Sequence, residues 1–287
     1  MTAPTHTTTI STADDRQLAY TEYGDPDGVP VLFLHGTPGS RRLGELFHGD
    51  ARDSGVRLLA PDRPGYGRSA PWPDRAVEDA GTYLTAVLDH AGVESAGVLG
   101  FSGGAAHALA VAAAHPDRVD AVDVLAGVTP PSARRETPTP QRVLSWLAAT
   151  TPTLLGGLFR GQAWLAGRLD PSFVLAQYTD DPESIPTDAR RIVKADFLEA
   201  FAESRSGAVT EFRNTAAAWD VAVGDVDATV RFWHGEADSN VPIANARRFG
   251  EQLPGSEFHA LDGADHLQTL LRAAPDALAE QASTASR

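Results

Sequence analysis

Three residues of this chain, Ser102, Asp238 and His266, are of the types that together make a nucleophile. A serine hydroxyl is a poor nucleophile at neutral pH. It needs a base to remove its proton, and that base needs a carboxylate to orient it. Ser102 lies in Gly100-Phe101-Ser102-Gly103-Gly104, after the apolar run at residues 96–99 and before an alanine-rich helical pattern that reaches His115-Pro116. Strand, sharp turn and helix form the setting a G-x-S-x-G nucleophile requires, and glycines at 100 and 104 let strand and helix pass closely. The alternative for the pentapeptide alone is a glycine-rich loop with an incidental serine. Likewise, Asp238-Ser239-Asn240 ahead of Pro242 reads in isolation as a turn or helix cap. Order separates the readings: Ser102, Asp238 and His266 each follow a different strand of one sheet, and open α/β sheets place ligands at the carboxyl ends of their strands. Asp123, near the end of the strand after the serine's helix, is the fallback acid. Asp265 is expected to point elsewhere, and His48, His90, His107 and His115 read as surface or packing residues.

An oxyanion formed at Ser102 needs donors fixed in advance. The N–H of Gly103, at the start of a helix, is one. Pro38 has no N–H, so within residues 35–40 the second donor is expected from Thr37, with His35 bracing that loop.

The positioning elements follow from periodicity. Residues 7–12 and 17–23 read as an opening hairpin, 30–34 as a buried strand feeding His35-Gly36-Thr37-Pro38-Gly39-Ser40, and 56–60 as a short strand. Helical patterns fall at 41–54, 77–91 and after Ser102, and a further strand at 119–125. This alternation implies a mostly parallel sheet with helices on both faces. From 127 to about 226 only proline-punctuated helical segments occur, at 141–149, 153–167, 172–178, 188–204 and 207–219. A stretch of that size between two strands is an insert. The sheet pattern resumes at 229–234, followed by a helix (243–252), a strand (257–261) and a last helix (267–282). The expected division is a core of residues 1–127 and 227–287, with a helical cap at 128–226. Most of the insert's aromatics should pack its own interior, with some lining an apolar cavity above the sheet; Phe101, Trp146 and Trp164 are the expected substrate contacts.

Composition bounds the function. The 287 residues suffice for one large domain or a domain with an insert. With no cysteine there is neither a disulfide framework nor a thiolate metal site. Residues 1–12 lack the pattern of a signal peptide and no stretch has transmembrane length, so a cytoplasmic protein is expected. The net charge of −14 argues against nucleic acid and anionic membranes as partners. Lys194 is the only lysine. GC-rich codon usage and adaptation to high salt both explain that bias.

Taken together, His35-Gly36-Thr37-Pro38-Gly39, Asp62-Arg63-Pro64-Gly65-Tyr66-Gly67-Arg68-Ser69, Gly100-Phe101-Ser102-Gly103-Gly104, His234-Gly235-Glu236-Ala237-Asp238 and Gly263-Ala264-Asp265-His266 resemble the motifs of the α/β-hydrolase superfamily. The resemblance spans nearly all of the chain outside the insert. It implies an eight-stranded, mostly parallel sheet with a helical cap after the sixth strand, a Ser-His-Asp triad, and no metal or organic cofactor. Serine at the elbow departs from the dehalogenase and epoxide hydrolase branches, which place aspartate there. The proline iminopeptidase branch has a related His-Gly-x-Pro-Gly loop but a different sequence around its serine. The expected activity is hydrolysis of a small to medium apolar carboxylic ester by a monomer or homodimer. The same triad also serves thioesters, lactones, aminoacyl amides, C–C bonds and cofactor-free perhydrolysis, and a non-catalytic ligand-binding homologue is the reading from another class.

Overall fold

Hydrophobic strands with both faces covered can only be interior strands of a sandwich of layers, and the computed structural model is built that way. It describes residues 6–12 and 14–285; Ala13 in the expected first turn and the start of the N-terminal segment lie outside them. In chain order the elements are β1 (Thr7–Ser11), β2 (Gln17–Gly24), β3 (Val29–Leu34), α1 (His48–Asp53), β4 (Val56–Pro61), α2 (Ala80–Ala91), β5 (Ala96–Phe101), α3 (Gly104–Ala114) and β6 (Val119–Leu125). There follow α4 (Thr139–Thr150), α5 (Pro152–Ala166), α6 (Ser172–Leu175), α7 (Thr187–Ala200), α8 (Ser206–Ala216), β7 (Thr229–Gly235), α9 (Ile243–Gly250), β8 (Glu257–Leu261) and α10 (His266–Ala285).

The eight strands form one sheet in the order β1-β2-β4-β3-β5-β6-β7-β8. β2 runs antiparallel to β1 and β4, and all other pairs are parallel. Side chains alternate across the sheet as a two-residue period demands. Val31 and Phe33 of β3, with Leu99 and Phe101 of β5, face a core shared with α1, α10 and the inserted helices. Leu32 and Leu34, with Ala96 and Val98, face a second core built on α2, α3 and α9. β5 is buried at every position because it has partners on both sides and layers on both faces.

Most helix boundaries differ from the sequence reading by a few residues, and two differences stand out. Residues 41–47 form a 3-10 helix before the short α1, and the last helix begins at His266 itself rather than after it. The early start has a cause: Asp265 Oδ1 accepts the Gln268 N–H at 2.9 Å while the Asp265 N–H donates to Gln268 Oε1 at 3.2 Å, a reciprocal capping box. Between β6 and β7 the described residues contain only α4–α8 and short 3-10 turns. Among the described residues no helix is long and apolar enough to cross a membrane.

Candidate active site

The turn after β5 holds Ser102 at φ +50°, a left-handed conformation uncommon for a residue with a side chain. The strain is held from both sides of the turn. The Ser102 N–H donates to the Leu125 carbonyl at 2.9 Å, and the Ser102 carbonyl accepts from Val128 N at 3.1 Å and Ala105 N at 3.2 Å. The flanking glycines are sterically required. A Cβ at Gly100 would sit 2.8 Å from Ala105 Cα, and one at Gly104 would overlap the Leu34 carbonyl oxygen.

Asp238 and His266 come from neighbouring loops at the same sheet edge. Ala237 N donates to the Ala264 carbonyl at 3.0 Å and Glu236 N to the Leu261 carbonyl at 3.1 Å, lacing the two loops together. His266 Nδ1 donates to Asp238 Oδ2 at 2.8 Å, with both residues buried. Asp238 Oδ1 accepts the N–H groups of Asn240 and Val241, each at 2.9 Å. Burial by itself would raise the Asp238 carboxyl, but the neighbouring His266 and these hydrogen bonds bring it below the usual carboxylate range. With Nδ1 committed as donor, Nε2 is left with the lone pair of a base. The His266 ring packs on Phe101, centroids 5.0 Å apart.

Ser102, His266 and Thr37 line one cavity of about 640 Å³. Its remaining walls include Leu144, Phe159, Tyr178 and Phe212 from the inserted segment, with Gln141, Gln162, Gln177, Ser239 and Asn240 among the polar members. Two of these amides are satisfied against each other, Gln162 Nε2 donating to Gln177 Oε1 at 2.8 Å. Gln141 and Asn240 donate to backbone carbonyls, at 2.9 and 2.8 Å. Neither an acid nor a lysine or arginine lines this space.

Gly103 abuts the Thr37 loop: a Cβ there would overlap Thr37 Oγ1 and lie 3.4 Å from Thr37 N. Of the expected substrate contacts, none is in the wall. Phe101 is buried beneath His266, and a Cβ at Gly36 would lie 3.1 Å from its ring, so it supports the site from below. Trp146 and Trp164 are 61% and 57% exposed, and neither lines the cavity. The fallback acid Asp123 is also removed from consideration. Its carboxylate is saturated by Arg231 Nε and Nη2, Trp233 Nε1 and Gln281 Nε2 at 2.6–2.8 Å, so it fastens β6, β7 and α10 together. Asp265 accepts from Thr179 Oγ1 and points away from His266.

A cluster that sequence reasoning did not single out lies behind Thr37. Glu211 of α8, fully buried, accepts from Arg63 Nε and Nη2 at 2.8 Å each, Arg75 Nη2 at 2.7 Å, Tyr66 Oη at 2.9 Å and Thr37 Oγ1 at 2.5 Å. Burial opposes its charge, but the two guanidiniums outweigh that and hold the carboxyl well below its usual range. Arg63 also donates to the carbonyls of His35 and Gly36. His35 takes the Arg63 N–H on Nε2 and donates from Nδ1 to Gly36 O at 2.8 Å. Burial holds its ring neutral, well below the usual imidazole range. The only hint in the sequence was positional: Glu211 stands four and three residues after Gly207 and Ala208, on one buried helix face.

A family model for the alpha/beta hydrolase fold matches residues 29–273. The chain belongs to the alpha/beta hydrolase fold family. Among curated relatives it is 34% identical over 131 residues to a proline iminopeptidase of Neisseria meningitidis, a match covering 44% of this chain and 41% of that protein. It therefore spans well under two thirds of that relative's length. A 2-hydroxy-6-oxononadienedioate/2-hydroxy-6-oxononatrienedioate hydrolase of Cupriavidus pinatubonensis is 28% identical over 250 residues, 82% of this chain and 80% of that one. Among solved structures, an alpha/beta hydrolase fold protein from Nakamurella multipartita superimposes with a TM-score of 0.72 at 23% identity, covering 98% of this chain and 100% of that chain. That likeness is one of fold.

Proposed function

We propose that the protein is a serine hydrolase acting on a small to medium, uncharged carboxylic ester. The observation that carries this reading is a serine in a strained strand-to-helix turn facing, with a carboxylate-oriented imidazole, a cavity whose walls carry no formal charge. In this reading Ser102 Oγ attacks the ester carbonyl while His266 Nε2 takes its proton, and Asp238 stabilises the imidazolium. The oxyanion is held by the N–H groups of Gly103 and Thr37. His266 then protonates the departing alkoxide, and water, deprotonated by the same imidazole, releases the acid and restores Ser102. Residues 128–226 act as the cap that shapes the acyl pocket.

The uncharged wall also orders the alternatives. A dianionic substrate such as the one named for the Cupriavidus relative, or a free α-amine, would lose its hydration there without an ion pair in return. The test is a panel of p-nitrophenyl esters of increasing chain length run beside proline anilide and a dicarboxylate, each with Ser102→Ala as control. The reading expects turnover of neutral esters, abolished in the variant. Turnover of the anilide or the dicarboxylate with none of the esters would overturn it.

A further inference from the structure

The net charge of −14 conceals a local reversal. Residues 137–169, which include α4 and α5, contain no aspartate or glutamate and three arginines, Arg142, Arg160 and Arg168, all exposed. The same segment gathers exposed apolar side chains. Among the described residues, the large hydrophobics that stand exposed all fall within residues 143–173. Helical periodicity sorts these side chains into stripes on each helix. On α5 the inward stripe is Leu155, Phe159, Gln162 and Ala166, while Leu154, Leu158 and Leu165 form a second stripe that points to solvent. On α4, Val143 and Trp146 are exposed, while Leu144 and Leu147 are half-buried.

An apolar band edged by arginines and bearing two tryptophans on a chain otherwise acidic fits one kind of surface. Trp side chains favour the boundary between hydrocarbon and water, and arginines on that face are drawn to anionic headgroups. Arg168 lies over the Trp164 ring at 3.9 Å, so cation and indole are presented together. Beside Trp146, an open groove of about 1050 Å³ adds the exposed Arg135 next to a single acid, Glu136, while Arg134 in the same groove donates to the Thr129 carbonyl. A second copy of the chain is the weaker occupant, because a two-fold contact through this face would oppose arginines with arginines, with Glu136 the one acid in the groove to pair them.

We propose that the outer face of α4 and α5 docks on the surface of an anionic phospholipid bilayer, lying at headgroup level without crossing it. The acidic remainder of the molecule is then turned away from the membrane. The inner faces of the same helices supply Leu144 and Phe159 to the 640 Å³ cavity, so docking brings the cavity's roof to the lipid boundary. The proposal does not rest on the ester-hydrolase reading, and its test needs no turnover.

The experiment is co-sedimentation of the full chain with phosphatidylcholine vesicles, with and without phosphatidylglycerol, at low and high salt, alongside tryptophan emission. The expected result is binding to the phosphatidylglycerol vesicles with a blue shift, weakened at high salt. Three arginines near an anionic surface should favour these vesicles on the order of a hundredfold over phosphatidylcholine alone. Leu158→Asp and Arg160→Glu should each weaken binding while leaving any hydrolysis of a soluble ester unchanged. Three outcomes overturn the proposal: no binding to either vesicle, equal salt-insensitive binding to both, or a concentration-dependent dimer that Leu158→Asp dissolves.

Discussion

Replacing Glu211 by glutamine keeps the shape of the side chain and removes one charge from a fully buried cluster. In the native protein that carboxylate faces two guanidiniums with no exposure, Arg63 and Arg75. After substitution both cations remain buried, and the carboxamide presents two donors where only acceptors are useful. Removing one partner of a buried ion pair costs about 3–5 kcal/mol, mostly because the stranded charge cannot regain water. In a chain of this size that corresponds to a fall of roughly 10 °C in melting temperature. Urea unfolding is the assay: the midpoint should drop with the m value unchanged. Because Glu211 also holds Thr37 Oγ1, kcat on a neutral ester should fall more than KM changes. The carboxyl is depressed in the folded state, so its contribution is present above the unfolded value near 4.5 and is lost as pH falls through the folded value. The wild-type advantage should therefore shrink in acid. A loss under about 1 kcal/mol at neutral pH with an unchanged m value would refute the reasoning, since that is the worth of an exposed pair.

Asp238→Asn keeps the contacts to Asn240 and Val241 but no longer fixes His266 as an Nδ1 donor; kcat should fall by about 10⁴-fold, with the melting temperature nearly unchanged. Gly103→Ala pushes a methyl group into Thr37 Oγ1 and should lower kcat about 10²-fold, the loss expected for one disturbed oxyanion donor, read against an intact circular dichroism spectrum. Asp196, buried against Ser40, has its carboxyl raised by burial to about 7 from 3.8, so the folded state holds this proton more tightly than the unfolded chain. Its contribution to stability is complete below the unfolded value and declines as pH rises to about 7. Asp196→Asn should flatten the wild-type decline between pH 5 and 8, which amounts to about 3 kcal/mol by urea titration.

The site was legible where local rules act. Glycines around Ser102, a proline that removes a donor at residue 38 and strands that end shortly before Asp238 and His266 are short-range signals, and the sheet edge follows from topology. Trp146 and Trp164 were misplaced for a physical reason. α4 and α5 each carry two apolar stripes, and periodicity alone does not say which one turns inward. Asp123 looked available because its partners Arg231, Trp233 and Gln281 lie more than 100 residues away in sequence. Glu211 escaped for the same reason: its partners are distant in sequence, at residues 37, 63, 66 and 75. The net charge averages over a segment, 137–169, that has the opposite sign.

The claim on which the rest depends is that Ser102 reacts covalently. Incubation with a fluorophosphonate followed by peptide mapping tests this directly. One equivalent of adduct on the peptide carrying Ser102, lost in Ser102→Ala and slowed in Asp238→Asn, is the predicted result. An unmodified Ser102, or labelling that persists in Ser102→Ala, would contradict it.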